Sequence, residues 1–303
     1  MRMPAQVNHI VAVPLDIELA QLLGKKGSEN SITFYNSSSD GHVITALMPT
    51  SIDEKPYAAA ESLLMAHQVV LSTRSIDRLF GEMAVACGLL GKEVVLTDDN
   101  DVSGLLEKSG ITSSSVVPRE RAAEYIRAFQ PNGVADGSVR VDVDKAFDVK
   151  GIGTVVLGIV TRGTVRAHDE LFHGSGKRVL VRSIQSQDRD IAEAGPGTRV
   201  GLALKGIGSE EIEKGELLTG AEVKPTAALA GSIRVSDVGK EELAAGKSYG
   251  FVSGFTYSRA TIAEAGSGSV SLKLEKQAQV ERGDAFMLLR ERAPRLFAAG
   301  HIK

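Results

Sequence analysis

Residues 142–172 read DVDKAFDVKGIGTVVLGIVTRGTVRAHDELF, residues 179–207 read VLVRSIQSQDRDIAEAGPGTRVGLALKGI, and residues 211–218 read EIEKGELL. Apolar residues arrive here in short runs, Gly153 to Val160, Val179 to Ile184 and Val200 to Leu204, each ended by glycine or a polar cluster. Several short strands at close spacing predict a small closed barrel or sandwich. Gly151 and Gly153 flank Ile152 just ahead of a β-branched run, where a chain must turn sharply into a strand.

Outward from this stretch, composition shifts near residue 130. Residues 1–130 hold 11 Lys and Arg against 16 Asp and Glu, whereas residues 131–303 hold 24 against 22. Glycine rises from 8 in the first part to 24 in the second. A change of class from α/β to all-β accounts for both shifts. With 303 residues, two or three domains are expected. We divide the chain into an α/β domain over 1–130, a β-barrel over 134–222 and a second β-barrel over 226–303, with Pro131–Gly137 and Lys224-Pro225 as linkers. Cys87 is the only cysteine, so intramolecular disulfides and cysteine-based zinc sites are excluded. No run of 18 apolar residues and no signal pattern occurs, which predicts a cytoplasmic protein that does not engage a membrane.

The first 130 residues alternate strand and helix. Strands are expected at Val7–Val13, Ser31–Tyr35, His42–Leu47, Gln68–Ser72, Glu93–Thr97 and Ser114–Val117. Helices are expected at Leu15–Leu23, Ala58–Ala66, along the face shared by Ile76, Leu79, Phe80, Met83, Ala84 and Cys87, at Val102–Lys108 and at Arg119–Phe129. This alternation predicts a mostly parallel sheet with helices on its faces. From Ala227 onward come further short strands: Leu229–Val235, Ser248–Phe255, Arg259–Glu264, Ser267–Leu274 and Ala285–Arg290.

The spaced set Asp144, Phe147, Gly151, Gly153-Thr154-Val155-Val156, Gly158, Gly163, Asp169, Arg182-Ser183-Ile184-Gln185, Ala194-Gly195, Val200-Gly201 and Lys214-Gly215 resembles the second-domain barrel of translational GTPases, the family of elongation factor Tu. The Ser-Ile-Gln run and the Glu213-Lys214-Gly215-Glu216 end are most similar to its selenocysteine-specific branch. The end of the chain, Asp284-Ala285-Phe286 to Arg290 and Ala299-Gly300-His301, resembles that family's third domain more faintly. The resemblance implies an N-terminal α/β domain of P-loop GTPase topology followed by two barrels.

In that N-terminal place, Ile32-Thr33-Phe34 with Asp40-Gly41-His42 resembles the switch strand, and Thr97-Asp98-Asp99-Asn100 stands where a guanine motif is expected. A phosphate loop needs G-x-x-x-x-G-K-[ST], so that bare N–H groups wrap the phosphates. After its first strand this chain has Pro14-Leu15-Asp16-Ile17-Glu18, with a proline that has no N–H and two carboxylates. The acidic switch residue falls near Ser38 at an altered spacing, and the guanine motif lacks its Lys and its final Asp. The sequence therefore predicts a degenerate GTPase domain without nucleotide, metal or catalytic residues, and no cofactor. Gly246-Lys247-Ser248 imitates the end of a phosphate loop, but Glu241 occupies the required glycine position, and a strand-entry turn is expected. His168 and His173 are expected in a solvated loop, and Cys87 on an apolar helix face.

By the resemblance, Phe147 and Thr154 match positions lining a terminal-adenosine pocket on the tRNA 3′ end, and Asp144 and Arg199 match two residues around the aminoacyl side chain, with Lys145 replacing a histidine. Two cations there would favour an anionic group. Lys273, Lys276, Arg282, Arg290, Arg292 and Arg295, interleaved with acids, could form a stripe for the tRNA backbone. The implied partner is tRNA, aminoacylated or not, with a ribosome or a tRNA-modifying enzyme as client and no DNA. Two other readings stay open: a cryptic GTP-binding elongation factor, and a protein-interaction scaffold without RNA.

Overall fold

The computed structural model describes residues 7–39, 41–98, 100–131 and 137–303. The first domain comprises β1 (Val7–Ala12), α1 (Ile17–Leu23), β2 (Lys25–Glu29), β3 (Ile32–Ser39), β4 (His42–Pro49), α2 (Pro56–Met65), β5 (Gln68–Ser72), α3 (Arg78–Leu90), β6 (Glu93–Thr97), α4 (Ser103–Ser109), β7 (Ser114–Val117) and α5 (Arg119–Ala128). Its sheet has the order β2-β3-β4-β1-β5-β6-β7. Strands β4, β1, β5, β6 and β7 run parallel, and β2 and β3 pair antiparallel at one edge. β5 is buried along its whole length, as a strand covered on both faces must be. α3 starts where the Asp77 carboxylate accepts from Phe80 N–H and stops at Gly91 in the left-handed region, so Ile76 falls outside the helix and stays half exposed.

Strand β2 was not foreseen. Its sequence, KKGSE, lacks the β-branched alternation of a strand, and it forms because β3 offers it a ladder, Lys25 opposite Asn36 and Lys26 opposite Tyr35. The approach is close: a Cβ on Gly24 would stand 2.5 Å from the Asn36 backbone.

The first barrel holds β8 (Arg140–Val149), β9 (Gly153–Arg162), β10 (Val165–Arg166), β11 (Glu170–Phe172), β12 (Arg178–Ser186), β13 (Arg189–Ile191), β14 (Glu193–Ala194), β15 (Arg199–Lys205) and β16 (Leu217–Thr219). The order β11-β16-β8-β9-β15-β12-β13, with an added β11–β12 pairing, returns the sheet on itself around a core that includes Val143, Val156, Val181 and Leu202. Gly151 and Gly153, at φ 83° and 93°, make the tight β8–β9 turn that L-residues resist. The second barrel closes as β17 (Thr226–Val235), β20 (Ser269–Ala278), β19 (Thr256–Gly266), β18 (Ser248–Ser253), β21 (Ala285–Leu289) and β22 (Leu296–Ile302). The run expected as one strand from Ser248 to Phe255 breaks at Gly254, which takes φ 55° between β18 and β19. The fold class expected from the sequence is therefore the one observed, an α/β domain followed by two β-barrels. Among the described residues no helix is long and apolar enough to cross a membrane.

The domains share cores. The apolar cluster under α2 and α3 continues into the second barrel through Val252, Phe255, Met287, Leu289 and Leu296. Each such side chain, fully buried, contributes about 1.5–3 kcal/mol.

Two histidines stack beside each other at β1, His9 buried on that strand and His67 half-buried just ahead of β5. His9 Nδ1 donates to the Ile126 carbonyl at 3.1 Å, and Ile10 N–H donates to His67 Nδ1 at 3.1 Å. Burial pulls His9 down to about 3, assisted by His67, and pulls His67 down to about 4, assisted by Lys92. Both are neutral when folded. Between their ordinary value of 6.5 and these lowered values, the unfolded chain binds more protons. Stability is fully present above pH 6.5 and is lost as pH falls through that window. Urea unfolding followed from about pH 7 to about pH 4 should show this slope, and His9→Gln and His67→Gln should each flatten it.

Candidate functional site

A cleft of about 870 Å³ opens between the β2–β3 hairpin of the first domain and the face of the first barrel. One wall is Lys25 to Ser28 with Asn36 to Ser38. The other carries Phe147, Val149, Ile152, Val155 and Leu157 from the β8–β9 hairpin, with Ser183 and Gln185 to Asp188 from β12 and its turn. Phe147 pairs with Val155 in the ladder, so alternation brings both to the cleft face.

Arg199 opens β15 and joins the two walls. Its Nη2 donates to Asp144 Oδ2 at 2.6 Å and to Ser28 Oγ at 2.8 Å, and its guanidinium lies 3.4 Å from the Phe34 ring centroid. Arg199 is 9% exposed and Asp144 3%. Burial pulls the guanidinium down, and the Asp144 carboxylate opposes that shift. Of the five pocket residues named from the sequence, Phe147 and Arg199 line the cleft and Asp144 sits behind Arg199. Lys145 is exposed, its ammonium 5.7 Å from the Phe147 ring centroid. Thr154 faces the opposite way: it pairs with Asp148, and its hydroxyl donates to the Ile207 carbonyl at 2.9 Å, so it is an internal tie and not a cleft residue. The hairpin residues Lys25, Ser28 and Asn36 escaped the sequence reading, because nothing local marks a polar Gly/Ser run as one wall of a distant barrel's cleft.

At the carboxyl edge of the parallel sheet, where open α/β sheets hold ligands, the chain is filled with its own ion pairs. α1 is seven residues long, and the Asp16 carboxylate accepts from Leu19 N–H at 2.9 Å. Arg119 donates to Asp16 at 2.8 Å and to Glu18 at 3.1 Å. Burial pushes the Asp16 carboxyl up, and its bonds to Arg119 and Leu19 more than offset this, leaving it below the ordinary value. Arg74 donates to Asp98 and Glu18, both at 3.1 Å, and Asn100 donates to the Thr73 carbonyl at 2.7 Å. Asp40 and Asp99 lie outside the described residues.

The switch-strand match needs correction. β1 and β4 run parallel, with Val7 opposite His42 and Ala12 opposite Leu47. His42 therefore stands at the edge where β1 begins, as the first residue of β4, opposite Ser39 of β3. Pro14 and Asp16 stand at the edge where β1 ends, about 17 Å away at ~3.3 Å per residue.

The expected cationic stripe also comes apart. Arg290 is buried and donates to Glu241 at 3.1 Å, Gly239 O at 3.1 Å and Pro294 O at 3.0 Å. Arg292 donates to the same Glu241 at 2.6 Å, and Lys276 pairs with Glu213. Arg295 forks onto Glu82 at 2.8 and 2.9 Å and reaches the carbonyls of Ile52 and Asp53, joining the second barrel to α3 and the loop before α2. Arg290 and Arg295 are structural cations that cannot meet a phosphate; Lys273 and Arg282 remain exposed. His173 is not in a solvated loop either: it is buried, with Nε2 2.8 Å from Glu216 and Nδ1 2.9 Å from Ser175 Oγ. Among the described residues no cluster of metal-ligating side chains occurs. Cys87 is buried, and burial pushes its thiol up to about 12. Gly246 takes φ 85° at the turn into β18.

Residues 153–219 match the family elongation factor Tu domain 2. An uncharacterised protein of Methanocaldococcus jannaschii is 28% identical over 276 residues, which cover 88% of this chain and 90% of that one. The selenocysteine-specific elongation factor of the same organism is 38% identical over 87 residues, 28% of this chain and 19% of the factor. Elongation factor 1-alpha of Picrophilus torridus is 30% identical over 105 residues, 34% of this chain and 25% of the factor. The chain thus matches only about a quarter or less of the length of these two factors. Among solved structures, translation elongation factor SelB of Methanococcus maripaludis with a GTP analogue superposes with a TM-score of 0.80 at 18% identity, covering 99% of this chain and 80% of that one. The fold is that of a three-domain translation elongation factor. The chain is a relative of the translational GTPases of the elongation factor Tu type, with the selenocysteine-specific factors among its neighbours.

Arg295→Met takes from Glu82, 2% exposed, its buried forked partner and leaves it only the half-exposed Arg78, at 2.9 Å. It should cost about 3 kcal/mol in denaturant unfolding, the lower end for a broken buried pair, and Arg295→Met with Glu82→Leu should recover most of the loss.

Proposed function

We propose that this protein is a carrier for the 3′ end of a tRNA that works without binding or hydrolysing GTP. The observation that carries this reading is the preformed cleft. Its first-domain wall is the β2–β3 hairpin, held by its own ladder, by Arg199 on Ser28, and by Gln187 donating to the Ser37 carbonyl at 3.0 Å. No nucleotide is needed to hold it. Phe147 offers an aromatic face to a terminal base, and the exposed Lys25 and Lys145 flank the opening for phosphates. The role of the first domain is then to supply that wall.

Absence of GTP chemistry rests on the carboxyl edge of the sheet. A phosphate there would have to displace the Asp16 cap and break the Arg119 pairs, and would meet Asp16, Glu18 and Asp98 as like charges. This argues against a cryptic GTPase. The internal pairing of Arg290 and Arg295 favours the other alternative, a protein-interaction scaffold without RNA. A ribosome and a tRNA-modifying enzyme both remain compatible as clients.

Filter binding of the nucleotide-free protein to total tRNA separates these readings. We expect retention of aminoacylated over deacylated tRNA, a steep loss with salt, and no change on adding GDP or GTP. Phe147→Ala should weaken binding about tenfold, the scale of one base–aromatic stack. Failure to retain either pool at low salt would leave the scaffold, and tight GDP binding would restore the GTPase.

A further inference from the structure

We infer that the cleft accepts an uncharged group at the end of its ligand and rejects an anionic one. The inference rests on the carrier reading above and names the class of end group that reading takes. Sequence order alone, with Lys145 and Arg199 near one pocket, pointed the other way, towards an anion.

The charges that line the cleft cancel. Arg199 reaches it from the floor, but its Nη2 is bound to Asp144 at 2.6 Å, and both side chains are buried. Lys26 is paired with Glu29 at 2.7 Å. Lys25 and Asp188 remain, one of each sign, on opposite walls. Lys145, the second cation expected in the pocket, is exposed and is not part of the lining. Glu61, whose carboxyl feels the Asp144 charge, holds Lys214 at 2.6 Å, and Lys214 also reaches Ser31 at 3.0 Å. An anion entering the cleft would give up its hydration and find one exposed cation, Lys25, faced by Asp188 across the cleft, with the Asp144 carboxylate close behind the floor. Its lost hydration is then compensated only in part.

The remaining lining suits a neutral body. Phe147, Val155 and Leu157 supply an apolar wall, while Ser183, Gln185 and Asn36 supply neutral donors and acceptors. Arg199 Nη1 is buried without a hydrogen-bond partner among the described residues. That nitrogen has almost no exposed surface, so it offers an entering anion no direct contact. Asp144 is thus a specificity-determining residue that acts through Arg199: it keeps that guanidinium from serving as an anion receptor.

The test uses one tRNA body acylated with glutamine or with glutamate, two side chains of nearly equal size that differ by one charge. We expect the full-length protein to bind the glutaminyl form about tenfold more tightly than the glutamyl form. Asp144→Asn removes the counter-charge and keeps the shape, and should reverse or abolish that preference. Its thermal unfolding is recorded beside the wild type, and if the variant does not fold, the wild-type pair alone decides. Equal or tighter binding of the glutamyl form, with both forms bound above deacylated tRNA, overturns this inference and leaves the carrier reading standing. Neither form binding above deacylated tRNA overturns the carrier reading itself.

Discussion

A buried arginine has to be paired, and Arg199 is the place where that requirement organises this molecule. Its guanidinium stacks on Phe34 of the first domain, pairs with Asp144 of the first barrel and reaches Ser28 of the edge hairpin. Removing Asp144 would leave the guanidinium unpaired in a low-dielectric site, and the contacts to Phe34 and Ser28 fix how the hairpin meets the barrel. The width of the cleft follows from it. So does the cleft's electrostatic character, because the same pairing that docks the domains cancels the charge on the floor.

Two further locks close the triangle of domains. Arg295 anchors the second barrel to Glu82 and to the backbone of Ile52 and Asp53. Arg140 links the barrels, bonding to Asp142 at 3.0 Å within the first and to Asp284 at 2.7 Å in the second, and Arg162 reinforces it through Glu281 at 2.8 Å. An apolar core runs from α2 and α3 into the second barrel. Sliding one domain against another would expose that core and unpair several buried charges together. At the carboxyl edge of the parallel sheet Asp16, Arg119 and Asp98 fill the space with their own ion pairs.

Much of the architecture was legible in the sequence, because it depends on short-range pattern. Strand–helix alternation before residue 130 and short glycine-bounded runs after it report which faces are buried, and these fixed periodicities do not depend on distant partners. Pro14, Asp16 and Glu18 announced, by chemistry alone, a turn ill suited to phosphate. Strand β2 was not legible, since KKGSE becomes a strand only when β3 lies beside it. Nor was the true position of His42, since the spacing of Asp40-Gly41-His42 says nothing about which edge of the sheet the turn occupies.

The sequence by itself determined the class of fold and the relationship of the first barrel to the elongation factor Tu family, both carried by local composition and spacing. Only the tertiary structure decided which charges are free. Arg199, Arg290 and Arg295 look alike in a sequence, yet each is bound to acids or carbonyls that lie near it only after folding: Asp144 lies 55 residues from Arg199, Glu241 49 from Arg290 and Glu82 213 from Arg295. Whether a cation can receive a ligand depends on such long-range pairing, because a charge already neutralised and desolvated has little attraction left to offer.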